Sequence, residues 1–259
     1  MVLYDIYQNY KNAYKLYYIF HNVYIMDYDL VFKNRAVDYN YAIQKYPNVL
    51  INELSTAAFM VDAKPNEVIV NIPGACVDIS KYLPSSVIYK PYEINKMFSS
   101  VTGIPYSANF HIPEPDNSVD KIVSLASLHH STDEERIEFY KSTHRCLKPG
   151  GKLIIGDVSI NSRQDKWLNE FVNKFNGHMG KFWSVDDTKL MTGFHVKTEM
   201  KNYPWVFSSQ NEMIDFCKHL FGLKNATDLE LMAGLKKYLM ATDTEFEWSL
   251  LYFIATKPT

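Results

Sequence analysis

The stretch Asp116-Asn117-Ser118-Val119-Asp120-Lys121-Ile122-Val123-Ser124-Leu125-Ala126-Ser127-Leu128-His129-His130 decides the fold, together with Arg145-Cys146-Leu147-Lys148-Pro149-Gly150-Gly151-Lys152-Leu153-Ile154-Ile155-Gly156-Asp157. Residues 121–125 read as a buried strand, a short apolar run bounded by turn formers. Residues 133–146 carry helical periodicity, Pro149-Gly150-Gly151 a turn, and residues 152–156 a second apolar strand. Strand, helix and strand in succession form one unit of a parallel sheet. Ligands of such sheets bind beyond the carboxyl ends of the strands.

Outward from this unit, residues 36–46 and 49–61 read as helices, the first ended by Pro47 and the second by the Lys64-Pro65-Asn66 break. Residues 67–72 are the expected first strand, 79–83 the start of its crossover helix, and 87–89 the second strand. A helix over 94–101 and a short third strand over 106–110 follow. Beyond Asp157, helices are expected over 164–175, 210–221 (closed by Gly222) and 228–239. Strands are expected over 194–206 and 245–256, and pairing these two would make an antiparallel edge. Nearer the start, Tyr4, Tyr7, Tyr10, Tyr14, Tyr17, Tyr18, Tyr24 and Tyr28 recur at helical steps and form one aromatic face. That face packs on the core, lines a substrate cavity, or buries itself against a second copy in a homo-oligomer.

A chain of 259 residues can hold one α/β domain with a full core and a helical cap. A net charge of -2 without a basic run gives no reason to expect nucleic acid or an anionic membrane as partner. Residues 1–25 are interrupted by polar side chains, so neither a signal peptide nor a membrane span is expected. Cys76, Cys146 and Cys217 are far apart and form no C-x-x-C pair, which suits a reducing, cytoplasmic setting. The eight histidines show no metal-ligand spacing, and no metal is expected.

The segment 116–157 resembles the class I S-adenosylmethionine-dependent methyltransferases, and S-L-A-S-L-H-H followed by L-K-P-G-G is most similar to their ubiquinone/menaquinone-biosynthesis-like branch. The resemblance implies an α/β, Rossmann-like, seven-stranded sheet, mostly parallel with an antiparallel edge strand, over residues 65–259. Residues 1–64 would be an N-terminal helical cap. It implies S-adenosyl-L-methionine as cofactor and a small-molecule acceptor. The methionine part would lie on Asn71, Pro73, Gly74 and Ala75, where the family carries an acid and a Gly-rich turn. Here Asn71 replaces the acid and only Gly74 remains, with Ala75, Cys76 and Val77 filling the turn. Glu93, 22 positions beyond Asn71, would accept the ribose hydroxyls, with Ile94 beside it. Ala108 and Asn109 stand where an Asp would bind adenine, and Ser107 is another candidate donor or acceptor there. Leu125 and Ala126 complete the cofactor contacts.

For chemistry, His130 is the first candidate to contact the acceptor or orient a base; its alternative role is to cap the following helix. Asp157 would bind an amine or hydroxyl, or cap a turn. His178 lies in a Gly-rich loop suited to a lid. Trp183, Trp205 and Phe207 either wall the acceptor pocket or pack. Two functions remain open at this point, an S-adenosylmethionine-dependent methyltransferase and a non-catalytic binding protein on the same fold. Cleavage rather than transfer on the same cofactor is a third.

Overall fold

The computed structural model describes Phe32, residues 35–75 and residues 77–259. The tyrosine face from Tyr4 to Tyr28 and the Cys76 position lie outside the described residues, as does the Asn109 side chain. Among the described residues, no helix is long and apolar enough to cross a membrane.

Six strands form one sheet: β1 (Val68–Asn71), β2 (Ile88–Pro91), β3 (Val119–Leu125), β4 (Leu147–Asp157), β5 (His195–Val206) and β6 (Glu245–Thr256). Their order is β2-β1-β3-β4-β6-β5. The first four run parallel, while β6 pairs antiparallel with both β4 and β5. Successive strand residues point to opposite faces. Ile69, Val123 and Ile154 therefore enter one apolar layer, and Val70, Ile122, Leu153 and Ile155 the other.

Among the described residues the helices are α1 (Ala36–Lys45), α2 (Ile51–Val61), α3 (Lys96–Thr102), α4 (Asp133–Cys146), α5 (residues 163–176), α6 (Gln210–Leu220) and α7 (Asp228–Leu239). α4 begins with a reciprocal cap: Thr132 Oγ1 accepts from Glu135 N at 3.2 Å and Glu135 accepts from Thr132 N at 2.8 Å. Acids fill its first turn, and His144 and Arg145 its last, as the helix dipole favours. The cap is thus Thr132, not His130. α5 joins a helical turn Arg163–Lys166, a π-helical stretch Trp167–Val172 and a closing turn Asn173–Asn176.

Three expectations are corrected. Among the described residues the sheet has six strands rather than seven, because residues 106–110 form only the single bridge Glu93–Tyr106 and a 3-10 turn Ala108–Phe110, with Phe110 at φ 55°. The first crossover helix is reduced to one 3-10 turn, Ser80–Tyr82. The Pro149-Gly150-Gly151 segment lies inside β4 as a register shift, with Gly150 at φ 77°, instead of preceding the strand as a turn.

Candidate functional site

At the carboxyl end of β1 the chain turns through Ile72-Pro73-Gly74-Ala75. Gly74 donates its N–H to Tyr92 O at 2.7 Å. A Cβ on Gly74 would meet Asn71 O at 2.9 Å and Pro91 Cβ at 3.0 Å, so this glycine allows the turn to lie against the end of β2. Asn71 is wholly buried; its amide donates to Val77 O at 2.7 Å and to Tyr89 Oη at 2.8 Å, fastening the loop from below.

Glu93 has no exposed surface. Its carboxylate accepts from three backbone N–H groups: Ala75 at 3.0 Å, Ile94 at 2.9 Å and Asn95 at 2.8 Å. The neighbouring Asn95 caps α3 by accepting from Met97 N and Phe98 N. Ser107 Oγ donates to His111 O at 2.5 Å, which commits the hydroxyl considered for adenine. Leu125 is buried in the core, whereas Ala126, at φ 45°, faces a cavity. A non-glycine residue in that region of φ is strained, and such strain gathers at functional sites.

Between the turn after β1, α3 and the end of β3 sits the ring of Phe32, 5.0 Å from Phe98 and 5.2 Å, edge-on, from His130. With Ala36 and Ala75 it forms a small apolar cluster that covers this crevice. In this arrangement the Glu93 carboxylate is committed to backbone donors with no oxygen exposed for a ribose, and Phe32 lies against the adjacent turn.

A cavity of about 70 Å³ opens at the carboxyl ends of β3 and β4. The 3-10 turn Leu128–His130 supplies His129 and His130, the residue after Gly177 supplies His178, and Val158 follows β4. Asp157 lies beneath and touches His129: its Oδ1 is 2.7 Å from Nδ1, and its Oδ2 accepts from His129 N at 3.0 Å. Asp157 also accepts from Val158 N at 2.8 Å, so the carboxylate acts as acceptor throughout. In a neutral His129 ring the proton therefore lies on Nδ1 and the lone pair on Nε2. Burial holds His130 and His178 well below the usual histidine range, and the neighbouring rings add to this.

Arg136 ties the two histidine-bearing segments together. It is fully buried, stacks 4.3 Å over Trp183, donates Nε to Leu128 O at 3.1 Å and Nη2 to Lys181 O. The segment after His178, expected to act as a lid, is fastened instead: Gly180 exchanges two hydrogen bonds with Asn169, and Lys181 N donates to His129 O at 2.7 Å. The π-helical stretch turns Leu168 and Val172 onto the cavity wall. Trp205 also lines the cavity, while Trp183 and Phe207 pack in the core, the former under Arg136.

Sequence reasoning missed Glu53, Arg35, Arg136 and Phe32. Glu53 is buried on the cavity wall and accepts from Trp205 Nε1 at 3.1 Å; burial pushes its carboxyl up to about 7. Arg35 donates to Leu220 O at 2.9 Å, and burial lowers its guanidinium to about 10. A signal for Glu53 existed, since it falls on the same helical stripe as Leu54, Ala57, Ala58 and Val61. The histidines, read as scattered, converge: the ligand nitrogens of His129, His130 and His178 all lie within 4.8 Å of one another. A second opening, a groove of about 660 Å³, lies where the short β1–β2 connection leaves space between α1, Tyr89 and Val101.

Residues 90–155 match the family model described as a methyltransferase domain. Over 109 residues the chain is 30% identical to an uncharacterized methyltransferase of Geobacillus sp. (strain WCH70), covering 38% of this chain and 51% of that protein. The chain thus spans about half the length of that curated relative. A Thermotoga maritima SAM-dependent methyltransferase superposes with a TM-score of 0.56 at 15% identity, covering 89% of this chain and all of the other. Haemonchus contortus phosphoethanolamine N-methyltransferase 2, solved with phosphomonomethylethanolamine and S-adenosylhomocysteine, gives a TM-score of 0.55 at 17% identity, over 92% of this chain and 61% of that one. The parallel sheet with its antiparallel edge and the matched segment agree: residues 90–155 carry a methyltransferase domain match, and the chain has the fold of the S-adenosylmethionine-dependent methyltransferases it superposes on.

Proposed function

We propose that the chain is an S-adenosylmethionine-dependent methyltransferase whose acceptor is a small molecule, bound in the cavity at the ends of β3 and β4. The cavity carries this reading. It combines aromatic walls with a few convergent polar groups, His129, His130, His178, Glu53 and Arg35, the usual make-up of a small-molecule site. Its volume of about 70 Å³ accommodates about five waters, or an acceptor group of a few heavy atoms.

The cofactor supplies an already activated methyl group, so the protein's part is to orient an acceptor lone pair and exclude water. The carboxyl of Glu53, poised at about 7, is suited to accept an acceptor proton near neutral pH, while the neutral rings of His130 and His178 can take part in hydrogen bonds to the acceptor. Cofactor entry requires Phe32 to leave the crevice. A second reading, a non-catalytic binding protein on this fold, is favoured by the enclosed Glu93 carboxylate.

Calorimetric titration with S-adenosylmethionine and S-adenosylhomocysteine tests the choice. Binding of either supports the enzyme, and transfer of labelled methyl to a small-molecule fraction then identifies the acceptor class. Absence of binding at millimolar cofactor, in wild type and in Phe32→Ala alike, rejects the enzyme in favour of the binding protein.

A further inference from the structure

We propose that His129, His130 and His178 form a binding site for one divalent transition-metal ion of the kind that prefers imidazole, with zinc as the reference ion. Neutral imidazole nitrogens are the commonest protein ligands of such ions, and three protein ligands with an open fourth position are the pattern of catalytic rather than structural zinc.

The geometry is close to what the ion needs. One nitrogen from each ring lies within 4.8 Å of the other two, and the ring centroids are 4.1, 5.0 and 5.7 Å apart. Three nitrogens about 2.1 Å from a tetrahedral zinc stand about 3.4 Å from one another, so closure asks for side-chain shifts on the order of 1 Å. All three rings are buried, at 6, 6 and 4% exposure, and no carboxylate competes for His178 Nδ1, which has no hydrogen-bond partner among the described residues. A polar atom buried in this way is costly unless something satisfies it.

The surroundings have the arrangement expected around a ligand set. The Asp157 carboxylate accepts a hydrogen bond from His129 Nδ1–H and directs Nε2 outward, the carboxylate–histidine pairing that orients metal-binding imidazoles and raises their basicity. Asp157 is itself held by the two backbone N–H groups of His129 and Val158. Arg136 spans the turn bearing His129 and His130 and the segment after His178, fixing the two halves relative to each other. The remaining coordination position faces the cavity, which Glu53 and Arg35 also line. The site does not depend on the methyltransferase reading, because its test counts metal and not turnover.

The test uses the full chain without a histidine tag, freed of metal by chelator and then titrated with Co²⁺ and Zn²⁺. The expected result is one equivalent of metal per chain by elemental analysis. Bound Co²⁺ should show the strong visible absorption of four-coordinate nitrogen ligation. Asp157→Asn should weaken binding about 10- to 100-fold while keeping the stoichiometry. His178→Ala, on a connecting segment, should abolish the cobalt spectrum while circular dichroism stays native. The inference is overturned if folded wild-type protein binds less than one equivalent, or shows only the weak absorption of octahedral cobalt. It is equally overturned if the triple variant His129→Ala/His130→Ala/His178→Ala keeps full binding, which would assign the metal to surface groups. Should the variants fail to fold, the wild-type stoichiometry and cobalt spectrum decide alone.

Discussion

Asp157 Oδ1 lies 2.7 Å from His129 Nδ1, and the same carboxylate accepts the His129 and Val158 backbone N–H groups. The end of β4 thereby sets both the backbone and the ring orientation of the turn that follows β3. Asp157→Asn keeps the shape but replaces an acceptor oxygen by a donor amide, so all three N–H groups lose a charged partner and at least one loses its acceptor. The expected cost is about 2 kcal/mol, seen as a lower urea midpoint at unchanged slope. An unchanged midpoint would show that the pairing does not hold the turn.

Glu53 gives a pH dependence of defined sign. Its carboxyl is raised to about 7 by burial, so the folded state binds a proton that the unfolded chain has already released. Stability contributed by the neutral form is full below the unfolded value of about 4.5 and falls as pH rises towards 7. The loss is on the order of 3 kcal/mol across that window. Glu53→Gln retains an acceptor for Trp205 Nε1 and removes the titration. Denaturation measured from pH 5 to 7.5 should therefore slope less in the variant than in wild type. Parallel curves would mean that Glu53 ionises normally.

Gly74 separates a packing role from a cofactor role. An added methyl meets the Asn71 carbonyl at 2.9 Å and Pro91 at 3.0 Å, neither of which is a flexible side-chain end. Gly74→Ala should lower stability by about 1–3 kcal/mol without any ligand present. A variant of wild-type stability that loses only cofactor binding would place the glycine in the ligand site instead.

Phe32 caps the crevice beside Ala75 and Phe98. Truncation to Ala removes its contacts with Phe98 and His130, at a cost of about 3 kcal/mol. If covering the crevice opposes entry, the same change should tighten S-adenosylmethionine several-fold in a calorimetric titration. Weaker binding in Phe32→Ala would show that the ring supports the bound cofactor.

How much was legible varies with how local the cause is. The helix Asp133–Cys146 is bounded by its own caps and charges, and the terminal strand Glu245–Thr256 by its own alternation, so both were readable to the residue. The short strand over 106–110 was not. Its apolar run matches the strand pattern, but Ser107 N donates to Glu93 O and Glu93 N to Pro105 O, a single bridge at Tyr106, before the chain turns at Phe110. His130 and Asp157 stand out by their places at strand ends and His178 by its Gly-rich loop, whereas the joining of three histidines is not readable, since His178 lies 48 positions beyond His130.

By itself, the order of apolar runs, caps and turns from Asp116 to Asp157 determined a parallel α/β sheet with its pocket at the strand ends, because those signals act between near neighbours. Only the tertiary structure decided what the polar groups do there. Glu93 meets the N–H of Ala75 and not an exposed surface, and His129 meets Asp157, because a carboxylate removed from water takes whichever donors the fold brings within 3 Å. Those donors come from distant segments, and their approach is set by packing, which no spacing along the chain records.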